Sequence, residues 1–184
     1  GGGVAAFEIS FALTERYGEK KSIKIISSNP LSEGNLNLRS KKKLIGISKK
    51  MGVDIHNDFV TEIMDGQLKL SNGELIKSDF NLISTGAELP KWLLNSSLEK
   101  VDGFIGVKND LQSLNENSVF ISGDAASIQE YTRAKSGVMA VRHGEVLKEN
   151  IFLKLQNKSL INIKPQKNWL YIIGTYKNKA LLNY

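Results

Sequence analysis

The chain has 184 residues, of which 41% are hydrophobic and 24% charged, a composition typical of a soluble globular protein with one domain or two small ones. It contains no cysteine, which excludes a disulfide scaffold, a cysteine-bound zinc or iron–sulfur centre and a redox-active dithiol within this chain. The net charge of +6 comes mostly from scattered lysines, so we predict no nucleic-acid partner, and two histidines are too few to suggest a metal site.

The first part of the chain predicts alternating helices and strands. Apolar residues recur at helical spacing from residue 4 to residue 17, and Gly18 follows, which predicts a helix that ends there. Residues 21–27 (KSIKIIS) are β-branched and predict a strand. A second helix is expected over residues 37–51, and residues 53–56 resume an extended pattern. This order predicts an α/β fold that opens on a glycine turn.

A second group of short strands is expected in the middle of the chain. The dipeptides Asp65-Gly66 and Asn72-Gly73 separate alternating runs over residues 59–80, which predicts an antiparallel meander. Residues 81–84 (NLIS) are expected to form a buried strand that enters a turn at Thr85-Gly86. The composition becomes rich in Asn and Ser after Pro90, and we place a candidate boundary there.

Beyond this boundary we expect a strand pair near residues 103–108, a strand over 118–122 and a helix over about 136–155. The segment NWLYIIGTY near the end predicts a strand or a core-covering segment.

The glycine turn carries the first chemical motif. Gly1, Gly3 and Ala6 have the spacing Gly-x-Gly-x-x-Ala at the start of a helix. A dinucleotide pyrophosphate is bound by this arrangement, because glycines allow a tight turn and a close backbone approach, and the positive helix end favours an anion. In NAD sites an acidic residue usually ends the following strand and binds the ribose, whereas this sequence has Ser27-Ser28. Arg39 or Lys41 nearby is suited to a 2′-phosphate, so both NADH and NADPH stay open.

The second motif is VFISGDAA, in which a strand delivers Gly123-Asp124 and then Ala125. A carboxylate at this place is suited to sugar or ribityl hydroxyls, and small neighbours allow a ligand to approach the backbone. A helix that starts near Ser136 would direct its free N–H groups at an electron-rich ring such as reduced flavin.

In this order the motifs resemble the pyridine nucleotide-disulfide oxidoreductase superfamily, and more narrowly its type II NADH dehydrogenase-like branch, which includes a flavoprotein module fused to selenide, water dikinase. The resemblance covers nearly the whole chain and rests on GGGVAAFE, STGAELPKWL, GFIGVKNDLQS, VFISGDAA, RAKSGVMAVRHGEVLKENI and PQKNWLYIIGT. It implies a Rossmann-type NAD(P)-binding domain with an antiparallel meander crossover, followed by the second part of an FAD-binding domain.

The resemblance also implies the roles of particular residues. The pyrophosphate of NAD(P)H would be held by Gly1, Gly3 and Ala6, while Glu8 would lie toward the nicotinamide. Gly86 would lie near both cofactors. The flavin residues would be Gly123, Asp124, Ala125, Lys135, Ser136, Gly137 and Val138, with Asp124 at the ribityl–phosphate portion and residues 135–138 near the isoalloxazine. Hydride transfer would be flavin chemistry, so we predict no catalytic side chain and no metal ligand.

These implications define the expected organisation. Residues 1–100 would be the NAD(P)-binding domain without its first strand, 101–155 the second part of the FAD domain, and 156–184 the start of a C-terminal region. The upstream FAD half would precede Gly1, so we expect the chain to be a fragment. The parent protein would be an FAD-dependent oxidoreductase that passes electrons to an acceptor such as a quinone.

Two alternatives stay open. One is a non-catalytic or regulatory nucleotide-binding module of a bifunctional protein fused to selenide, water dikinase, and the other is a Rossmann-like fold that has lost its cofactor. No stretch approaches the roughly 20 apolar residues of a membrane span, so we predict a cytoplasmic protein. Peripheral membrane contact and a homodimer stay open for the intact protein.

Overall fold

The computed structural model describes residues 1–32, 36–129, 135–164 and 170–183. The chain divides into two compact units, Gly1–Gly86 with Lys167–Tyr184, and Ala87–Gln166. We call them unit 1 and unit 2. This division does not coincide with the boundaries predicted after residues 100 and 155. The first unit ends at Gly86, close to the candidate boundary at Pro90, and the end of the chain packs with the first unit.

Unit 1 opens with alternating helices and parallel strands, α1 (Val4–Tyr17), β1 (Lys24–Ile26), α2 (Leu38–Lys50) and β2 (Asp54–His56). The two strands pair in parallel, with Ile25 opposite Ile55. Helix α1 ends at Gly18, whose φ of 56° is easily adopted only by glycine. Helix α2 begins after Asn37, whose side chain accepts a hydrogen bond from the Ser40 N–H at 2.8 Å. These four elements confirm the helices and strands predicted here.

The meander predicted over residues 59–80 is also confirmed. It consists of β3 (Val60–Met64), β4 (Gln67–Leu70) and β5 (Leu75–Lys77), paired antiparallel in that order. The two turns contain Gly66 at φ 69° and Gly73 at φ 87°, so both predicted turn glycines adopt the left-handed conformation.

The buried strand predicted over residues 81–84 is wrong. The segment has no regular secondary structure, and the side chains of Leu82 and Ile83 are exposed. An apolar run becomes a strand only where another strand satisfies its backbone hydrogen bonds. No strand of the described residues pairs with this segment.

Unit 1 is completed by a hairpin of β9 (Tyr171–Gly174) and β10 (Ala180–Asn183). It confirms the strand expected within NWLYIIGTY, although Trp169 lies outside the described residues. Ile173 and Leu181 face each other across the hairpin and are buried in the core of unit 1. That core also receives the rings of Phe7 and Phe11, which meet edge to face with centroids 6.2 Å apart.

Unit 2 contains α3 (Lys91–Leu94), β6 (Lys100–Val101), β7 (Phe104–Val107), β8 (Ala126–Ile128) and α4 (Gly137–Leu155). β7 pairs antiparallel with β6, which confirms a strand pair in this region, and parallel with β8. Helix α4 matches the predicted helix over 136–155. The Ser136 side chain caps it by accepting from the Met139 N–H at 3.4 Å.

The strand predicted over residues 118–122 is wrong. Within this segment, Phe120 forms only an isolated bridge with Gln112. Residues 123–125, which follow it, form a short 3-10 turn, and the nearest strand, β8, begins only at Ala126. The apolar run has a different cause: Ile121 is buried in the core of unit 2, and its N–H donates to the Leu111 carbonyl. The segment therefore packs into the core without a continuous ladder.

Candidate functional site

The glycine turn of unit 1 is wedged against two other segments. A Cβ on Gly1 would lie 1.7 Å from the Ser84 carbonyl oxygen, and a Cβ on Gly2 would lie 2.4 Å from the Ser27 Oγ. The Gly2 carbonyl accepts the Leu31 N–H at 2.8 Å. The fold thus brings Gly1 to the segment before Gly86 and brings Gly2 to the end of β1. Only glycine allows these two close backbone approaches.

Gly3 differs from its neighbours because it faces open space. A Cβ built there meets no atom within 4 Å, and its φ of −73° and ψ of 175° suit any residue. Gly3 caps α1 without a side-chain hydrogen bond, and its carbonyl accepts the N–H groups of Ala6 and Phe7. Ala6 is buried, as expected for a small residue beside the turn. The first turn of a 14-residue helix therefore lies beside an open backbone surface.

This arrangement fits the pyrophosphate of a dinucleotide. The group requires backbone N–H groups at a positive helix end and no side chain at the point of approach. The open position at Gly3 leaves the point of approach without a side chain. The first turn of α1 contains no acidic residue, which agrees with a positive helix end.

Glu8 and Gly86 are two further residues predicted for this site. Glu8 is half-buried one turn along α1, and its carboxylate accepts the Gly174 N–H at 2.7 Å. No sequence pattern predicts this contact. Gly86 is exposed with φ 106°, so a side chain there would be strained, although space for a Cβ exists.

The end of β1 carries no carboxylate. Ser27 donates its N–H to the His56 carbonyl at 3.0 Å, and its side chain lies against Gly2. Asp54 lies at the amino end of β2, which is the opposite edge of this strand pair from Ser27. The hydrogen bond from Lys24 lowers the pKa of Asp54, and His56 lowers it further. Arg39, a candidate for a 2′-phosphate, is exposed on α2.

In unit 2 the structure brings the Gly123–Ala125 turn to helix α4. Gly123 has φ 64°, and its N–H donates to the His143 Nδ1 at 3.1 Å. Asp124 is exposed beside it, and Ala125 is half-buried. His143 is not among the predicted site residues. A usable signal exists in the spacing, because Met139, His143 and Asn150 share one buried face of α4.

Lys135 lies between the Gly123–Ala125 turn and α4, and its ammonium has two fixed partners. Its ammonium lies 3.8 Å from the centroid of the Phe104 ring and donates to the Ala126 carbonyl. Burial lowers the pKa of Lys135, while the negative charges of Asp124 and Asp102 oppose that change. Ser136 caps α4, and Gly137 and Val138 are exposed in its first turn. The predicted residues of unit 2 therefore form one cluster.

The mixed α/β fold resembles part of a solved reductase structure. The chain matches the ferredoxin reductase for the CYP199A2 system from Rhodopseudomonas palustris with a TM-score of 0.68, over 89% of this chain, at 15% sequence identity. It covers 41% of that reductase. No family model and no curated protein sequence matches the chain. At this identity the likeness shows the fold alone, so the fold prediction is confirmed in its coarse form and the narrower branch stays a prediction.

The described residues contain neither a candidate membrane span nor a candidate metal site. No helix among the described residues is long and apolar enough to cross a membrane. Within the same described ranges, no group of three or more His, Asp or Glu side chains is placed to hold a metal ion.

Proposed function

We propose that this protein is an FAD-dependent oxidoreductase that takes a hydride from NAD(P)H and passes the electrons to an acceptor such as a quinone. The observation that carries the proposal is the open Gly3 position at the start of α1, in a chain with the fold of part of a reductase. Because the likeness shows fold alone, the coenzyme, the flavin and the acceptor all belong to the proposal.

Unit 1 would bind the nicotinamide coenzyme. Its pyrophosphate would be held by the glycine turn, with Gly1 and Gly2 fixing the turn through their close packing and Gly3 leaving the approach open. Buried Ala6 keeps the first turn of α1 close to the rest of the unit. These residues bind and orient the coenzyme, which is the protein's main contribution to a hydride transfer.

Unit 2 would contribute to the flavin site. Exposed Asp124 offers a carboxylate to ribityl hydroxyls, and the exposed first turn of α4 at Gly137 and Val138 offers N–H groups to the ring. Lys135 adds a positive charge that is fixed by Phe104 and Ala126. When bound, the flavin supplies the ring that accepts the hydride.

Coenzyme discrimination would be weak. The two described residues directly after β1, Ser27 and Ser28, carry no carboxylate to favour a free ribose. Arg39 is exposed, so its attraction for a 2′-phosphate is screened by water and salt. We therefore propose that NADH and NADPH bind with affinities within about tenfold of each other, a difference of about 1.4 kcal/mol.

The visible spectrum of the natural protein, purified and reconstituted with FAD, tests the proposal. We expect a yellow protein whose flavin absorbance is bleached when NADH or NADPH is added without oxygen. Asp124→Ala should weaken FAD retention, whereas Asp65→Ala, in the meander turn, serves as a matched control and should retain it. A protein that stays colourless, or a bound flavin that neither coenzyme bleaches, contradicts the proposed function.

A further inference from the structure

The hairpin β9–β10 is held on α1 by two glutamates. Glu8 accepts the Gly174 N–H at 2.7 Å, and Glu15 accepts the Lys177 N–H at 2.9 Å. The two glutamates are seven residues apart, which places them two turns apart on the same side of the helix, about 10 Å along its axis. Both acceptors are carboxylates, and hydrogen bonds to charged acceptors are stronger than neutral ones.

The two contacts differ in their surroundings. Glu15 is exposed and holds the hairpin turn, where Lys177 and Asn178 have positive φ values of 54° and 55°. Glu8 is half-buried and holds the end of β9. Since a hydrogen bond is less disturbed by water where it is partly buried, Glu8 is the stronger of the two attachments.

Glu8 also lies close to the glycine turn, whereas Glu15 does not. The N–H groups of Ala6 and Phe7, which precede Glu8, bond to the Gly3 carbonyl and form the first turn of α1. Phe7 is buried in the same core cluster as Ile173 of the hairpin. The hairpin therefore contacts the first two turns of α1 both through an apolar core and through a carboxylate.

We propose that Glu8 is a positioning residue: it holds the hairpin β9–β10 against α1 and thereby fixes the glycine turn in the form that binds a dinucleotide. The proposal rests on the proposed function for the identity of the ligand only. Its physical content is that release of Gly174 loosens the Gly3–Phe7 turn, whereas release of Lys177 does not.

Amide hydrogen exchange of the 184-residue chain, resolved by residue, tests this directly. In Glu8→Ala we expect exchange at Gly174, Ala6 and Phe7 to be about tenfold faster than in the wild type, because local opening becomes easier. In the matched variant Glu15→Ala only Lys177 should exchange faster. Glu8→Gln should restore most of the protection, since an amide oxygen still accepts the hydrogen bond.

An unchanged exchange rate at Gly174 in Glu8→Ala overturns the proposal. Faster exchange at Gly174 with unchanged rates at Ala6 and Phe7 also overturns it. Failure of Glu8→Gln to restore protection also overturns it. Should Glu8→Ala fail to fold, Glu8→Asp replaces it with the same expectations, because the carboxylate is withdrawn by one methylene.

Titration with NADH separates this proposal from the proposed function. We expect Kd to rise about fivefold in Glu8→Ala and to stay unchanged in Glu15→Ala. Equal Kd values in the wild type and Glu8→Ala overturn the proposed coupling. If the wild type binds no NADH, the proposed function fails, and the exchange experiment alone decides whether Glu8 positions the turn.

Discussion

Gly2→Ala is expected to destabilise unit 1 by about 3 kcal/mol, the upper part of the range for overpacked sites. The added Cβ would lie 2.4 Å from the Ser27 Oγ, 2.5 Å from the Ser27 Cβ and 3.1 Å from the Pro30 Cα. None of these atoms is the end of a long flexible side chain, and the Gly2 carbonyl is held by the Leu31 N–H. The turn must therefore shift.

A second substitution identifies the cause. Ser27→Gly removes the two nearest atoms, so the double variant should recover about half of the lost free energy of unfolding. Gly3→Ala is the control at the neighbouring position, where a Cβ meets nothing, and should cost less than about 1 kcal/mol. Urea unfolding of the wild type, the single variants and the double variant provides the measurement. A Gly2→Ala protein as stable as the wild type contradicts the wedged turn, as does a double variant with no recovery.

Asn150→Ala is expected to destabilise unit 2 by about 3 kcal/mol. The Asn150 side chain is fully buried on α4, where its Nδ2 donates to the Asp110 and Ile161 carbonyls at 2.8 and 2.9 Å. Its Oδ1 accepts the Ile161 N–H at 2.8 Å. The variant leaves three backbone groups without these partners and opens a small cavity.

Urea unfolding followed by circular dichroism measures this loss, because α4 is the longest helix of the described chain. Glu149→Ala changes the adjacent exposed position and should alter stability by less than about 0.5 kcal/mol. Asn150→Asp should be as harmful as alanine, since a carboxylate cannot donate to the two carbonyls. A stable Asn150→Asp protein would show that these hydrogen bonds contribute little.

The elements that the sequence predicts correctly depend on local signals. The turn glycines Gly66 and Gly73 and the apolar spacing of α1 and α4 act within a few residues, so one sequence is enough to reveal them. The strand predicted over residues 81–84 fails for the opposite reason. Its apolar composition says nothing about whether a partner strand is present to pair with it.

The candidate site is predictable only in part, for the same reason. The glycine spacing indicates the turn, but the wedging of Gly2 by Ser27 depends on how the fold joins two segments. The contact between Glu8 and Gly174 joins residues 166 positions apart, and no local pattern encodes it. His143 resembles a polar surface residue because its neighbours are Arg142 and Glu145, although its helical face is buried.

Titration of NADH and NADPH against the wild type and Gly3→Ser tests the central claim most directly. A Cβ at this cap position meets no atom within 4 Å, and the local backbone suits a serine N-cap, so the stability of Gly3→Ser should be unchanged or rise by a few tenths of a kcal/mol. The same side chain would occupy the space required by a pyrophosphate. Gly46→Ala is the control, because it also adds a Cβ in open space, but within α2.

We predict saturable binding of both coenzymes to the wild type and, with the same affinity, to the Gly46→Ala control. In Gly3→Ser we expect Kd to be at least about a hundredfold higher, equivalent to about 2.7 kcal/mol. Equal binding by the wild type and Gly3→Ser, or no saturable binding by the wild type, would contradict the assignment of the glycine turn as a dinucleotide site.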